Sequence, residues 1–508
     1  MVAIFNKEMM SWYLITLKLR ETMEAAAPPT PGDTRSIDFP EDDATTNATP
    51  PCAAEPEAPP PPSPWIISIK EKLELARQED LAGSWTKLSI YRIPHHLKDE
   101  DNKAYVPQLV SLGPYHKARP ELRQMDCHKW RAIHHMLKRT KHDIAIYLDG
   151  VRGLEERARS CYEGVIELTS DEFVEMMVID GCFVLELLRG AAEGFKHLGY
   201  PRNDPVFAIR GSMHSIHRDM IMLENQIPIF ILDHLLALQL SNPDLKGVVA
   251  ALAIRFFDPL MPTDKIESTI PCGGVVFDPL TNDDGLHCLD IFRRSLLRAG
   301  PKPIPKIKLK RWSNVSRVAD KRRQQLIHCV SELKEAGVRF VRRETDRFWD
   351  IKFRGGTLSM PRLLIHDGTK SLFLNLIAFE QCHADCKNDI TSYVIFLDNL
   401  INSPEDVAYL HYVGIVEHWL GSDAEVADLF NKLCQEVVFD MDDSYLSTLS
   451  EEINRYYNHR WNAWRASLKH NYFSNPWSTI SFLAAVVLLI LTFVQSFYGV
   501  YQYYVPPR

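Results

Sequence analysis

Thirty consecutive residues, 476–505, carry no charged side chain, and their middle, 480–494, reads ISFLAAVVLLILTFV. The hydrocarbon core of a bilayer takes a helix of about 20 apolar residues. A helix of a soluble core is seldom apolar on every face, so the run is expected to be one C-terminal transmembrane helix, about 477–501. Asn475 suits its N-cap and Pro476 its first turn, where a missing amide hydrogen costs nothing. Tyr472, Phe473 and Trp477 gather at one end and Tyr498, Tyr501, Tyr503 and Tyr504 at the other, as amphipathic rings do at the two membrane interfaces. Arg455, Arg460, Arg465, Lys469 and His470 precede the run and only Arg508 follows it. The positive-inside rule then puts the large N-terminal part in the cytosol, with the plasma membrane as the expected location.

The other end agrees. The short apolar patch 9–17 (MMSWYLITL) is flanked by Lys7, Glu8 and Lys18 and lacks a following cleavage site, so no signal peptide is expected. The sequons at Asn47 and Asn314 are short enough to arise by chance. Residues 22–64 are rich in Pro, Ala, Thr and acidic side chains and bury too little apolar surface to fold. The expected organisation is therefore an N-terminal extension and disordered tail over 1–64, a globular domain over 65–470 and a membrane anchor over 471–508. The Pro-rich run 59–65 (PPPPSPW) could occupy an SH3-like or WW-like groove, although linkers carry such runs routinely.

With 45% hydrophobic residues, the 508-residue chain can bury one large core or two modest ones. A net charge of −8 excludes a nucleic-acid-binding surface as its main purpose, since phosphate neutralisation needs a clustered basic excess. The basic stretches 302–311 (KPIPKIKLKR) and 321–323 read as solvated loops. Ten cysteines without paired spacing suit reduced thiols in a cytosolic domain. Cys382 and Cys386, even with His383 beside them, lack the further ligands that zinc requires.

Spacing of apolar residues places helices over 66–79, 125–142, 171–188, 212–226 and 371–381, and strands over 89–94 (SIYRIP) and 108–114 (QLVSLGP), within a mainly α domain with a few short β-strands. In 125–142 the apolar side carries Trp130, Ile133, Met136 and Leu137. Three helices place one carboxylate on the apolar side: Asp180, Glu224 and Glu380. Paired buried carboxylates can act as general acid and base in glycoside hydrolysis. The commoner use is structural, with the acid accepting hydrogen bonds that fix how elements meet.

Other motifs fail on spacing. His217, Arg218 and Asp219 resemble a kinase catalytic loop, but Glu224 stands where the metal-binding Asn belongs. Residues 282–285 (NDDG) lack the first and twelfth oxygen ligands of a calcium loop. The pairs His95 with His96 and His134 with His135 diverge on any regular element. No catalytic, cofactor-binding or metal residue is assigned.

In order along the chain stand Ile93-Pro94, Tyr105-Val-Pro, 111–116 (SLGPYH), 177–183 (MVIDGCF), 219–228 (DMIMLENQIP), 375–382 (NLIAFEQC), Thr391-Ser-Tyr-Val, Gly421-Ser-Asp and 472–477 (YFSNPW). Together with the apolar run they resemble the plant DUF247 proteins, also called UPF0481. The resemblance implies a plant membrane protein of largely unknown biochemistry. It supplies no catalytic residues, so Asp180, Glu224-Asn225-Gln226 and Glu380-Gln381 keep their structural reading. Some grass members are associated with self-incompatibility, in recognition between pollen and stigma, a role that sits awkwardly with a cytosolic domain. The functional expectation is a non-enzymatic interaction or signalling protein, bound to the bilayer through its last helix and to a protein partner. The alternatives are a carboxylate-dependent, glycosidase-like hydrolase and a cell-surface recognition protein. A channel or transporter subunit would want a charged residue in the span, and there is none, although Gln495 could assist helix association.

Overall fold

Apolar residues at helical spacing dominate this chain, and most helices of its core turn such a stripe inward. The computed structural model describes residues 64–81, 87–98, 102–243, 245, 247–262, 287–297, 327–439, 444–458 and 476–504. The extension before residue 64, with its apolar patch, Pro-rich run and Asn47, lies outside the described residues. So do residues 282–285, 302–311, Asn314, 321–323 and 459–475.

The chain divides into Met1–Lys70 and Glu71–Arg508. Helix α1 (Pro64–Leu81) contains the helix expected over 66–79, and its Trp65, Ile66, Ile69 and Leu73 are exposed. The larger unit is mainly helical with a few short strands. Its first half packs α2 (Asp126–Thr140), α3 (Ile144–Arg152) and α6 (Ile229–Leu240) around α4 (Ser170–Arg189). Helix α4 is buried almost all round from Phe173 to Leu188, and the Thr169–Glu172 capping box fixes its start. Helices α5 (Arg210–Met220), α7 (Val248–Phe257) and α8 (Cys288–Leu297) complete this half.

The second half is built from α9 (Thr369–Cys382), α10 (Asp389–Leu400), α11 (Pro404–Tyr412), α12 (Asp423–Leu433) and α13 (Ser447–Tyr457). Strands β1 (Arg339–Arg343), β2 (Lys352–Arg354) and β3 (Thr357–Pro361) form a sheet in the order β1-β3-β2. β1 runs parallel to β3, with Val341 opposite Ser359, and β2 runs antiparallel, with Phe353 opposite Leu358. β4 (Leu363–Ile365) pairs in parallel with β5 (Val416–His418).

Four expectations are corrected. Residues 89–94 make one isolated bridge, Ile90 to Tyr162, rather than a strand, and residues 108–114 join no sheet. The helix expected over 212–226 ends at Met220, because residues 221–228 fold back to place polar side chains, and Glu224 sits in that turn. In α2 the buried side carries Lys129, Ala132, Ile133 and Met136, while Trp130 is 49% exposed.

The last element, α14 (Pro476–Tyr504), is a 29-residue helix whose Leu483, Leu489 and Phe493 are exposed. Among the described residues no helix is long and apolar enough to cross a membrane. The expected transmembrane helix is therefore a helix, and its passage through a bilayer rests on the sequence.

Candidate functional site

A buried extended segment must satisfy its backbone N–H and C=O groups, since each one left unpaired costs about 1–3 kcal/mol. Residues 108–113 do so without a neighbouring strand. The N–H groups of Gln108, Leu109 and Val110 donate to the Asp219 carboxylate at 2.9, 2.6 and 2.9 Å. Leu112 N–H donates to Asn225 Oδ1 at 2.6 Å and Gly113 N–H to Asp180 Oδ2 at 2.9 Å. In return Asn225 Nδ2 donates to the Val110 carbonyl at 3.0 Å, and Lys129 Nζ to that of Ser111 at 2.5 Å. Lys129 also donates to Asp180 Oδ1 at 2.6 Å, so the buried ammonium and carboxylate neutralise each other. Burial pushes Asp180 and Asp219 above the usual carboxylate range, against Lys129 in the first case and three backbone N–H groups in the second.

The turn after α5 supplies the rest of this clamp. Glu224 Oε1 accepts from Ile93 N–H at 2.8 Å and from Lys98 Nζ at 2.6 Å. Gln226 Nε2 donates to the Met220 and Met222 carbonyls, its Oε1 accepts from Leu289 N–H at 3.1 Å, and its own carbonyl accepts from the Tyr162 hydroxyl at 2.9 Å. His116 Nε2 lies 3.6 Å from Glu224 Oε2. Burial, then the positive Arg119, Lys98 and Arg92, lower the His116 pKa to about 3, so the ring is neutral and this is no ion pair.

Glu380 forms a second clamp. Arg293 Nε and Nη2 donate to its Oε1 at 2.9 and 2.6 Å. Ile390 N–H, Thr391 N–H and the Thr391 hydroxyl donate to the same carboxylate at 3.1, 2.9 and 2.8 Å. A carboxylate on α9 thus satisfies orphan N–H groups at the start of α10, where negative charge is favoured. Asn375, one turn earlier, accepts from Leu223 N–H and donates to the Ala104 carbonyl, tying α9 to the first half.

The three expected carboxylates are all buried, as their spacing implied, but each sits in its own web of donors. A cavity of about 130 Å³ beside Asp180 is lined by Ser111, Asp126, Lys129 and Glu175 among others, and by neither Glu224 nor Glu380. Sequence reasoning set Asp219 aside with the kinase-like triplet and passed over Lys129 and Arg293, whose partners lie 51 and 87 residues away. His217 instead stacks on Phe256 with ring centroids 4.0 Å apart. Burial pushes the Cys382 thiol up to about 11 and that of Cys386 up to about 12, while His383 Nδ1 is engaged by the Tyr91 hydroxyl at 2.7 Å. Among the described residues no three His, Cys, Asp or Glu side chains group to hold a metal ion, and no disulfide joins the described cysteines.

Residues 90–491 match a family model described as DUF247, a plant protein of unknown function. The UPF0481 protein At3g47200 of Arabidopsis thaliana is 30% identical over 428 residues, covering 82% of this chain and 86% of that protein. A putative UPF0481 protein of the same plant, At3g02645, is 24% identical over 511 residues, covering 85% of this chain and 94% of its own. No solved structure matches the chain. The segment 111–116 and its partners around Asp180, Asp219 and Glu224 are the residues that first carried the resemblance, and with a match spanning most of its length the chain belongs to the plant DUF247 family.

Proposed function

We propose that this DUF247 protein is a membrane-anchored interaction protein without catalytic activity of its own. Its acidic motifs build the folded surface rather than a reaction centre. The observation that carries this reading is the engagement of Asp180, Asp219, Glu224 and Glu380 by backbone N–H groups and buried cations. A general acid or base needs an oxygen within reach of a substrate proton. The anchor rests on the uncharged, exposed α14, its aromatic ends and the basic residues before it. A single anchored helix and a large folded surface suit an adaptor that meets a protein partner from the cytosolic side of the plasma membrane.

Two measurements test this. The full chain should resist alkaline carbonate extraction from plant membranes, and a chain lacking residues 476–504 should be released. Glu224→Gln with Glu380→Gln should lower the melting temperature; a hydrolytic activity lost in that variant at unchanged stability would overturn the non-enzymatic reading.

A further inference from the structure

The sheet β1-β3-β2 has two unlike faces. Inward, Phe340, Leu358 and Met360 are buried, and the Phe353 ring meets Tyr456 of α13 edge to face at 5.6 Å. Outward, alternation along the strands brings together Arg339, Val341 and Arg343 of β1, Thr357 and Ser359 of β3, and Lys352 and Arg354 of β2. Arg343, Lys352, Arg354, Thr357 and Ser359 line an open groove of about 320 Å³. Asp350 pairs with two of these cations, 2.7 Å from Arg343 and 3.6 Å from Lys352. Arg339 and Arg354 have no ion-pair partner among the described residues. Four cations against one carboxylate make this face basic in a chain whose net charge is −8. In its middle Val341 is 47% exposed.

We propose that this face lies on the anionic leaflet of the membrane that holds α14, with Arg339, Lys352 and Arg354 on lipid phosphates and Val341 entering the headgroup layer. The proposal rests on the anchor reading above. Helix α13, packed on the back of the sheet, is separated from α14 by residues 458–475, 18 residues that reach about 60 Å at most when extended. That length bounds how far the sheet can stand from the surface and leaves contact within reach. The cytoplasmic leaflet is the negative one, and each Lys or Arg near it contributes about 1 kcal/mol. Guanidinium groups and hydroxyls match phosphate oxygens, while the single exposed valine adds contact without making the face insoluble.

The test uses the full chain in nanodiscs, with Val341→Cys carrying a polarity-sensitive dye and the equally treated parent chain as the labelling control. Emission should shift to the blue in discs containing phosphatidylserine relative to pure phosphatidylcholine. The shift should vanish near 1 M salt, where the screening length is about 3 Å. It should also vanish in Arg339→Gln/Lys352→Gln/Arg354→Gln, while the melting temperature stays put. Equal emission in both lipids, or a shift that survives the triple substitution, would overturn the proposal. Saturation of the face by inorganic phosphate in phosphatidylcholine discs would assign it to a free anion and overturn the lipid reading. A chain that fails to enter discs defeats the anchor instead. The labelled chain is then mixed with vesicles of the two compositions, where a salt-sensitive shift, weakened about fivefold per cation removed, supports the lipid face and its absence overturns it.

Discussion

Two extended segments of this protein meet the same demand by opposite means. β1 pairs residue by residue with β3, so its backbone hydrogen bonds follow from the neighbour's backbone and leave the side chains free. Residues 108–113 have no such neighbour, and side chains from α2, α4, α5 and the turn after it stand in for one. A ladder is indifferent to sequence at most positions, whereas a clamp of side chains depends on each acceptor. The acidic motifs of the first half, for which a structural use was expected ahead of a catalytic one, are bound by backbone N–H groups and buried cations, while the sheet is free to present arginines outward.

The comparison breaks first at Asp219. Replacing it by Ala takes the acceptor from three N–H donors, one buried at Val110 and two partly exposed at Gln108 and Leu109, and the loss is expected to be roughly 4 kcal/mol, a large drop in the melting temperature of the full chain in mild detergent. Asp219→Asn keeps one acceptor oxygen and should cost less. Ser359→Ala on the sheet should move the melt by no more than about 0.5 kcal/mol. Similar melting temperatures for Asp219→Ala and Ser359→Ala would end the distinction.

Two glycines sharpen it. Gly113 has φ of +69°, and an added Cβ would stand 2.8 Å from the Gln226 carbonyl oxygen, inside the clamp. Gly355, in the β2–β3 turn, has φ of +55° and open space around its missing Cβ. Gly355→Ala should cost about 1 kcal/mol of backbone strain, and Gly113→Ala about 3 kcal/mol because the carbonyl must also move. Denaturant midpoints at unchanged m-value would read the difference.

How much of this was legible follows from distance along the chain. Helices α2, α4 and α9 announce themselves because their apolar stripes repeat within a few residues. The burial of Asp180 and Glu380 was legible for the same reason, each lying on such a stripe. Glu224 kept its burial but lost its helix, since residues 221–228 are shaped by Asn225 and Gln226 bonding to distant backbone. Residues 89–94 and 108–114 look like strands because they are extended and apolar; nothing local says that many of their partners are side chains, from 18 to 131 residues away. Lys129 carried one weak signal, a cation set among apolar positions of α2. The basic sheet face gave none, because its residues meet only through the register of three strands.

Acid should find the clamped half first. Burial lowers the pKa of His116 to about 3 and that of His287 to about 4, both well below the ordinary 6.5. A depressed folded pKa means stability fully present above pH 6.5 and lost as pH falls toward the folded values. At pH 5 each buried histidine is expected to remove on the order of 2 kcal/mol, since only the unfolded chain is then protonated there. Melting temperatures of the full chain between pH 7.5 and pH 5, a range over which these groups titrate in the unfolded chain, should fall steeply. In His287→Gln, which has no ring to protonate at that position, the slope should be shallower. An identical slope in parent and variant would remove His287 from the account.

A small effect of the opposite sign is expected outside the clamp. Asp398 on α10 is raised to about 6, chiefly by burial, with Cys434 donating to it only in part compensation. Here the folded pKa exceeds the unfolded one, so the favourable contribution is present below pH 3.8 and disappears as pH rises through about 6. At neutral pH the charged form is a liability. Asp398→Asn, which keeps the shape and removes the charge, should stabilise the chain by about 1 kcal/mol at pH 7.5, a figure discounted because the group is only partly withdrawn from solvent. Near pH 4 the two chains should melt together. Asp219 is also raised by burial, yet it answers three backbone N–H groups, so Asp219→Asn should destabilise at every pH. A buried carboxylate that stabilises when neutralised is a bystander, and one that destabilises is part of the frame.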